Sequence, residues 1–453
     1  MGRRIRNQSI SKLLLIVIQA FRLLTPANGL SSVGQISPKD LSAHLLDGLR
    51  SSTLSTSNLL DLETDFYDQS TGLYSEGVWH NALVGIASLE NKHAADEIAN
   101  SLFRYSWDGC SFRRRSWSGN WDHSSIDSNN PPEQANYYRE SSEHRCVQHG
   151  IALIFWSKLL LNYNPGQDAF VERNKYQEQQ NVIADKYQEQ QNVIAENFFR
   201  EFWDPSVRKW TTVSKSQGGG SVLRPSASAA QQTFGVSEEA PYYRAVDQAI
   251  AVLACLEHLK VLEHCEGNNG IAQQRKMLID LIQTTCFEIL SPNGFGYGNV
   301  DKAKSYLGLN RNRNFWHDGW TFLSLIEARQ YLWPSDTNYG EAVLASIQKD
   351  LNDMYGCGKK GESDGTVWHW PRDLKPDSSN VRYCGDNALA FRIRHNLMIE
   401  SSGTIGTKDD EFWRFVTSLR NGHDSLSSVA DVYPQVRLHP NTELSALLVW
   451  PSK

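Results

Sequence analysis

The 453-residue chain lacks several features that would place it in common functional classes. Its seven cysteines include no Cys-x-x-Cys pair, and this spacing excludes a zinc ribbon or a thioredoxin-type redox motif. It has no long basic or acidic block and a net charge of only −6, so nothing indicates nucleic acid or a charged membrane surface as a partner. No strand-rich region is present, and a charged fraction of 21% is typical of a folded globular protein.

The N-terminal segment, residues 1–39, carries basic residues but no acidic ones. Its apolar run, Leu13–Leu24, is too short to span a bilayer, and Ala27 and Gly29 offer the small residues of a cleavage site. We therefore expect a signal peptide over residues 1–29 and a secreted or lumenal protein, with no stable membrane span in the mature chain. A transit peptide for organelle import is the alternative, because Arg and Ser without acid are also its composition.

A short signature recurs six times at intervals of roughly 60 to 100 residues: a polar residue, a small or amide residue, then an apolar helical run. The copies stand at Trp79–Leu83, Gln148–Ala152, Val246–Ile250, His317–Trp320, Gly385–Leu389 and, in weaker form, Asn441–Ala446. The helices that they open are apolar nearly all round, as in Val147–Asn162 and Ala245–Glu263. Such long intervals predict a repeating hairpin of two helices with long loops.

Between the signatures lie more polar segments with one apolar stripe, the pattern of a helix that packs on one side only. We predict such outer helices at Ala94–Tyr105, Asn192–Phe202, Ala272–Ile289, Tyr339–Met354 and Lys408–Leu419. A sixth partner is expected within Ser37–Phe66, which starts with a capping sequence. Six inner and six outer helices predict one all-α domain over residues 37–453, an (α/α)6 toroid whose first helix closes the ring against its last.

Two segments depart from this pattern. Lys175–Asp185 and Lys186–Glu196 are near-perfect copies of eleven residues, a tandem duplication over residues 175–196. Eleven residues make three helical turns, so the copy is expected to lengthen an outer helix without rotating its apolar face. Residues 214–239 are rich in Gly, Ser and Ala, and a mobile loop is predicted there.

Six inner helices that each begin with Asp, His or Glu beside a small residue resemble the six-hairpin glycosidase superfamily. The likeness covers nearly the whole chain after residue 37 and lies in the architecture and the repeat, not in one diagnostic motif. The superfamily includes glycoside hydrolases, and N-acylglucosamine 2-epimerases have a related toroid. The resemblance implies that inner-helix starts line a sugar site, at His80, His149, Asp247, Asp318, Asp386 and Glu443.

Glycoside hydrolysis is the leading prediction for the chemistry, and it requires two carboxyl groups, one as acid and one as base or nucleophile. Asp247, Asp318 and Asp386 are the predicted catalytic residues, since each starts an inner helix beside aromatic or basic residues. An ordinary first-turn acid that stabilises its helix is the structural alternative for each of them. The residues predicted to bind the sugar are His80, His149, Tyr243, Arg244, Trp316, His317, Trp320, Trp368, His369, Arg382 and Glu443.

Histidines support a second mechanism, sugar epimerisation or isomerisation, in which a base removes and returns a proton beside a carbonyl. His317 and His369 are the first pair to consider, with His80 and His149 as further choices. A third hypothesis is a toroid that binds carbohydrate without turnover, because fold does not imply function. The sequence predicts no cofactor and no metal, since the acidic loop around His123 lacks ligand spacing. The oligomeric state stays open.

Overall fold

The computed structural model describes residues 39–40, 42–43, 45–46, 76–113, 115–116, 144–163, 175–217, 245–265, 271–291, 294–295, 315–332, 337–356, 384–401 and 446–450. The chain forms two compact units, Met1–Asp40 and Leu41–Lys453. The predicted signal peptide and most of the predicted helix within Ser37–Phe66 lie outside the described residues. None of the described helices is long and apolar enough to cross a membrane.

Nine long helices follow one another in the described part of the second unit. They are α1 (Val78–Ala87), α2 (Lys92–Tyr105), α3 (Cys146–Tyr163), α4 (Lys175–Phe202), α5 (Ala245–Cys265), α6 (Ile271–Ile289), α7 (Phe315–Leu332), α8 (Thr337–Gly356) and α9 (Cys384–Ser401). Residues 446–448 are helical as well. The odd-numbered helices begin at the first five sequence signatures, and the even-numbered helices correspond to four of the predicted outer segments. The predicted outer helix Lys408–Leu419 lies outside the described residues.

The odd-numbered helices form an inner ring. Consecutive members pack against each other from α1 to α9, and each even-numbered helix packs on the odd-numbered helix before it. Trp79 of α1 meets Trp320 of α7 edge to face, with ring centroids 5.5 Å apart. The first and fourth members of a six-membered ring lie opposite each other, so this contact crosses its centre. The architecture is an all-α (α/α)6 toroid, as the sequence predicts.

Burial separates the two layers of helices. Every residue of α1 is buried, whereas α6 carries the exposed residue Met277. Helices α1 and α3 approach so closely that a Cβ on Gly85 would lie 2.4 Å from the ring of Phe155, which explains a glycine within a helix. The predicted inner spans Val147–Asn162 and Ala245–Glu263 agree with α3 and α5 to within two residues at each end.

Short strand pairs lie in the long connections. Strand β1 (Glu76–Gly77) pairs with β2 (Arg115–Ser116), β3 (Trp203–Asp204) with β4 (Lys209–Trp210), and β5 (Leu290–Ser291) with β6 (Gly294–Phe295), all antiparallel. Strands β3 and β5 directly follow the outer helices α4 and α6. The aromatic and turn residues at these helix ends therefore form hairpins.

The connections differ in length at the two ends of the ring. Those from an inner helix to the next outer helix are short, as at residues 88–91, 266–270 and 333–336. Those from an outer helix to the next inner helix are long, as at residues 106–145, 203–244 and 357–383. All long connections reach the N-terminal ends of the inner helices, and we call this end of the ring the mouth.

Helix α4 contains both copies of the duplicated segment in one run of 28 residues. The second copy packs into the core, where Tyr187 and Ile194 are buried and the Tyr187 hydroxyl donates to Oδ1 of Asp96 at 2.9 Å. In the first copy Ile183 is only partly buried and Val182 is 69% exposed. The same sequence is thus used once for core packing and once as an extension of the helix.

Alanine substitutions at the matched isoleucines of the two copies test this difference. We expect Ile194→Ala to lower the free energy of unfolding by about 3 kcal/mol, because it opens a cavity in the core. Ile183→Ala, at the matched position of the first copy, is expected to cost about 1 kcal/mol or less. Urea unfolding of both variants measures the difference. Equal losses of unfolding free energy in the two variants would mean that both copies contribute equally to core packing.

The start of the predicted mobile loop, residues 214–239, differs from the prediction. Ser214 is fully buried and its N–H donates to the carbonyl of His144 at 3.1 Å. Residues Lys215–Gln217 form a 3₁₀ turn, and the Gln217 side chain accepts a hydrogen bond from the N–H of His144 at 2.7 Å. These polar residues are anchored because they satisfy backbone groups beside α3. The rest of the predicted loop lies outside the described residues.

Candidate functional site

Three tryptophans meet at the centre of the ring. Trp320 contacts Trp79 at 5.5 Å and Trp450 at 5.9 Å between ring centroids. Trp79 and Trp320 both lie within the first two turns of their helices, so they lie near the mouth. Indole rings offer a broad apolar surface together with one N–H donor. Trp320, a predicted sugar-binding residue, thus lies on the central axis.

Deeper in the ring, four successive inner helices carry a polar residue at the same place, the thirteenth residue of the helix. These residues are Lys158, Glu257, Glu327 and Asn396, and we call them the polar belt. At about 1.5 Å per residue they lie roughly 18 Å from the helix starts. Lys158 Nζ is 3.0 Å from Glu257 Oε1, and Asn396 Nδ2 donates to Glu327 Oε1 at 2.9 Å.

Glu257 is the centre of the ion pairs in the polar belt. Lys260 Nζ lies 2.7 Å from the Glu257 Oε1 that Lys158 also contacts. Burial raises the pKa of Glu257, but the two ammonium groups outweigh burial and hold this pKa below its ordinary value. Lys158 Nζ also lies 5.0 Å from the ring centroid of Trp450, a cation–π distance. The polar belt and the tryptophans therefore form one connected centre.

Three buried N–H donors near this centre have no hydrogen-bond partner in the described part of the chain. They are Nε1 of Trp320 and both Nε and Nη2 of Arg392. Arg392 is one helical turn nearer the mouth than Asn396, and burial lowers its pKa to about 10. A buried donor without an acceptor costs about 1–3 kcal/mol. Most buried donors in folded proteins have an acceptor, so these three donors need an explanation. A bound ligand that accepts their hydrogen bonds is one such explanation.

The three predicted catalytic aspartates, Asp247, Asp318 and Asp386, all lie in the first turn of an inner helix and are fully buried. Thr212 Oγ1 donates to Asp247 Oδ2 at 2.6 Å. Because Thr212 belongs to the connection from α4 to α5, Asp247 fixes that connection to the start of its own helix. This contact fits the structural alternative for Asp247, and the catalytic roles of Asp318 and Asp386 stay predictions.

His149, a predicted sugar-binding residue and alternative base, lies in the core. Its Nε2 is 2.9 Å from the carbonyl oxygen of Ile194, which can only accept, so Nε2 carries the hydrogen. Its Nδ1 is 2.8 Å from Ser111 Oγ, and the rings of Phe112 and Phe198 lie within 6 Å. Burial lowers its pKa to about 3. Both nitrogens contact neighbouring segments, which fits a structural histidine, and a role of His149 at a sugar site stays a prediction.

Two other predicted histidines start helices on opposite sides of the ring. His80 directly follows Trp79 in α1, and burial lowers its pKa to about 3, so its imidazole is neutral at neutral pH. His317 is the third residue of α7, one turn nearer the mouth than Trp320, and Trp316 precedes it. Because Trp79 and Trp320 touch, the starts of α1 and α7 flank the same central point at the mouth.

Sequence reasoning missed Trp79, Trp450 and the polar belt. A usable signal was present, since each belt residue follows its signature residue by nine or ten positions, as Glu257 follows Asp247 and Glu327 follows Asp318. That regular spacing marks one level within the ring. The predicted site residues outside the described residues are Tyr243, Arg244, Trp368, His369, Arg382 and Glu443.

A second polar cluster at the mouth consists of Asp108, Cys110 and His144. His144 Nε2 is 2.5 Å from Asp108 Oδ2, and Cys110 Sγ is 3.3 Å from Asp108 Oδ1. Burial alone would raise the pKa of Asp108, but its bond with His144 holds this pKa well below its usual range. Burial and the Asp108 carboxylate raise the pKa of Cys110 to about 12, so this thiol is not an activated nucleophile.

Comparison with solved structures shows a likeness over nearly the whole length of the chain. No family model matches the chain, and no curated protein matches it. Among solved structures the chain is similar to a D-mannose isomerase, with a TM-score of 0.52 and 12% sequence identity, over 92% of this chain and 97% of that one. At so low an identity the likeness shows the fold alone, the (α/α)6 toroid.

Proposed function

We propose that the protein is a sugar isomerase, which converts an aldose to a ketose by moving one proton from carbon 2 to carbon 1 and one proton from the carbon-2 oxygen to the carbon-1 oxygen. The observation that carries this proposal is the likeness to a D-mannose isomerase over 92% of this chain and 97% of that one. It supports the histidine-based alternative better than glycoside hydrolysis, the leading prediction from the sequence.

The centre of the ring has the chemistry that a sugar needs. Trp320 and Trp79 supply apolar surface for the carbon-bound hydrogens of the ring. The N–H groups of Trp320 and Arg392 that lack partners in the described residues are donors for hydroxyl or carbonyl oxygens. A small polyhydroxylated ligand therefore suits a centre in which apolar rings and free donors lie together.

His317 is our choice for the base that transfers the proton. Its position at the start of α7 is one turn towards the mouth from Trp320. A histidine imidazole is suited to remove a proton from carbon 2 and return it to carbon 1. His80, on the opposite helix, has its pKa lowered to about 3 by burial. It is therefore better suited to hydrogen bonding with the sugar than to proton abstraction.

Incubation of the full chain with single sugars tests the proposal. We expect an aldose such as D-mannose to yield its ketose, and the ketose to yield the aldose, with the same final ratio from both directions by NMR. Parallel incubations with di- and oligosaccharides are expected to leave every glycosidic bond intact. Bond cleavage without isomerisation would contradict the proposal and return the assignment to glycoside hydrolysis. Binding of sugars without either reaction would leave only the non-catalytic toroid.

A further inference from the structure

We propose that Asp108, Cys110 and His144 form a site for one Zn²⁺ ion, or a similar thiophilic divalent cation, at the mouth of the toroid. One carboxylate oxygen, the thiol sulfur and one imidazole nitrogen all lie within 4.8 Å of one another. These are the three kinds of ligand that zinc takes in proteins. The proposal does not depend on the sugar chemistry. The sequence gives no spacing signal, because His144 is 36 residues from Asp108.

A tight turn presents the first two ligands. Asp108 Oδ1 accepts the backbone N–H groups of Cys110 at 3.1 Å and of Ser111 at 3.0 Å. Between Asp108 and Cys110, Gly109 has a φ of 101°, which side-chain-bearing residues rarely adopt. The turn places Sγ 3.3 Å from Oδ1. Sulfur and oxygen ligands on a tetrahedral zinc ion are about 3.5 Å apart, given bonds of roughly 2.3 and 2.0 Å.

The third ligand is oriented by its own partners. The N–H of His144 donates to the side chain of Gln217 at 2.7 Å, and its carbonyl accepts the N–H of Ser214 at 3.1 Å. Ser214 Oγ lies 3.4 Å from Nδ1, so Nε2 is the nitrogen that faces Asp108 and Cys110. Metal-binding histidines have this arrangement, in which a second contact fixes the ring and leaves one nitrogen for the ion.

Binding of the cation releases one proton from the site. The thiol of Cys110 releases its proton to solvent and binds as thiolate, while the neutral imidazole of His144 binds through the Nε2 lone pair. The ion then replaces the hydrogen bond between His144 and Asp108. One carboxylate and one thiolate neutralise the charge of Zn²⁺, so Arg113, whose Nε is 3.7 Å from Asp108 Oδ2, faces no net positive centre. A fourth position stays open for water, as Asp108 and Cys110 are not fully buried.

The bound ion would join three separate segments at the mouth. Asp108 and Cys110 follow α2, His144 precedes α3, and the partners Ser214 and Gln217 follow α4. Isolated strand bridges already connect these segments, from Arg113 to His144 and from Arg145 to Val213. The ion would therefore stabilise the long connections of the first two helical hairpins.

Titration of the chelator-stripped full chain with Co²⁺ tests the site. We expect one equivalent to produce thiolate-to-cobalt charge-transfer absorption, which Zn²⁺ then removes by displacement. Cys110→Ser is expected to lose this absorption and to bind Zn²⁺ at least tenfold more weakly. Cys265→Ser, at the end of α5, is the matched control and should behave as the wild type. No absorption in the wild type, or unchanged absorption in Cys110→Ser, would overturn the proposal.

A measurement on the wild-type protein covers the case in which Cys110→Ser fails to fold. Alkylation of thiols is followed by mass spectrometry with and without saturating Zn²⁺. We expect Zn²⁺ to slow the alkylation of Cys110 at least tenfold and to leave the other reactive cysteines unchanged. Alkylation of Cys110 at the same rate in both conditions would overturn the proposal, because a coordinated thiolate is shielded from the reagent.

Discussion

Replacement of His317 by glutamine is expected to reduce kcat for sugar isomerisation by about 10²–10⁴-fold, the usual contribution of a positioned general base. Glutamine keeps a polar side chain of similar length but cannot take up a proton at neutral pH. His317 is the third residue of α7, one turn nearer the mouth than Trp320. If it transfers the proton, we expect kcat to fall while KM changes little, because the substitution leaves the proposed sugar-binding residues Trp320 and Arg392 unchanged.

A matched histidine variant controls for this substitution. His93 lies on the outer helix α2, its side chain is 84% exposed, and its contact is with Glu97 one turn later. We expect His93→Gln to retain the wild-type kcat and KM. His80→Gln is expected to raise KM more than it lowers kcat, since its buried imidazole is suited to hydrogen bonding. If His317→Gln keeps more than about a tenth of the wild-type kcat, His317 is not the base.

Replacement of Glu257 by glutamine is expected to lower the free energy of unfolding by about 3–5 kcal/mol, the usual cost of removing one partner from a buried ion pair. Glu257 is the common partner of Lys158 and Lys260, at 3.0 and 2.7 Å. Without its charge, the buried ammonium of Lys158 and the partly exposed ammonium of Lys260 lose the carboxylate that both contact. Urea or thermal unfolding of the variant measures the loss.

Glu263→Gln on the same helix is the control for Glu257→Gln. Glu263 pairs with Arg275 at 2.8 Å, but both side chains are more than a third exposed, and a surface ion pair contributes about 0–1 kcal/mol. We therefore expect only a small change for this variant. Similar losses in both variants would show that Glu257 does not hold the polar belt together.

The pH dependence of stability gives an independent test of Glu257. Its pKa in the folded protein is below the ordinary value of 4.5, so the folded state favours the charged carboxylate. The contribution to stability is fully present above pH 4.5 and is lost as the pH falls through the lower, folded pKa. The wild type is expected to lose stability in this acidic range more steeply than Glu257→Gln. Parallel pH profiles would contradict this role.

The fold could be predicted because each repeat has a recognisable pattern in its local sequence. Each inner helix is apolar on nearly every side and starts with a recognisable polar signature, so α3 and α5 were located to within two residues. For α4 the apolar stripe alone places the start at Asn192, and only the duplication over residues 175–196 predicts the longer helix that the structure shows. Its N-terminal turns are the polar first copy of the duplication, which has little apolar periodicity. Where a helix starts without core contacts, its first residue depends on the helix propensity of the local sequence. Such a start is harder to predict from the hydrophobic pattern.

The site was harder to predict because identical residue types serve two purposes at the same sequence position. Asp247 stands where a catalytic acid was expected, yet it accepts a hydrogen bond from Thr212. The next residue, Gln248, binds both backbone groups of Trp210, at 2.8 and 2.6 Å. His149 likewise joins core segments. Only contacts between distant segments distinguish these anchors from ligand-binding groups, and a single sequence does not contain them.

Exchange of the sugar's carbon-bound hydrogens with solvent tests whether the protein is a sugar isomerase. The full chain is incubated in D₂O with D-mannose, and the recovered sugars are analysed by NMR for deuterium at carbons 1 and 2. A sugar isomerase that uses a histidine base is expected to introduce deuterium from solvent as aldose and ketose interconvert, and His317→Gln is expected to abolish it. The assignment would be contradicted if the preparation converted neither sugar, introduced no deuterium at either carbon and cleaved a glycoside.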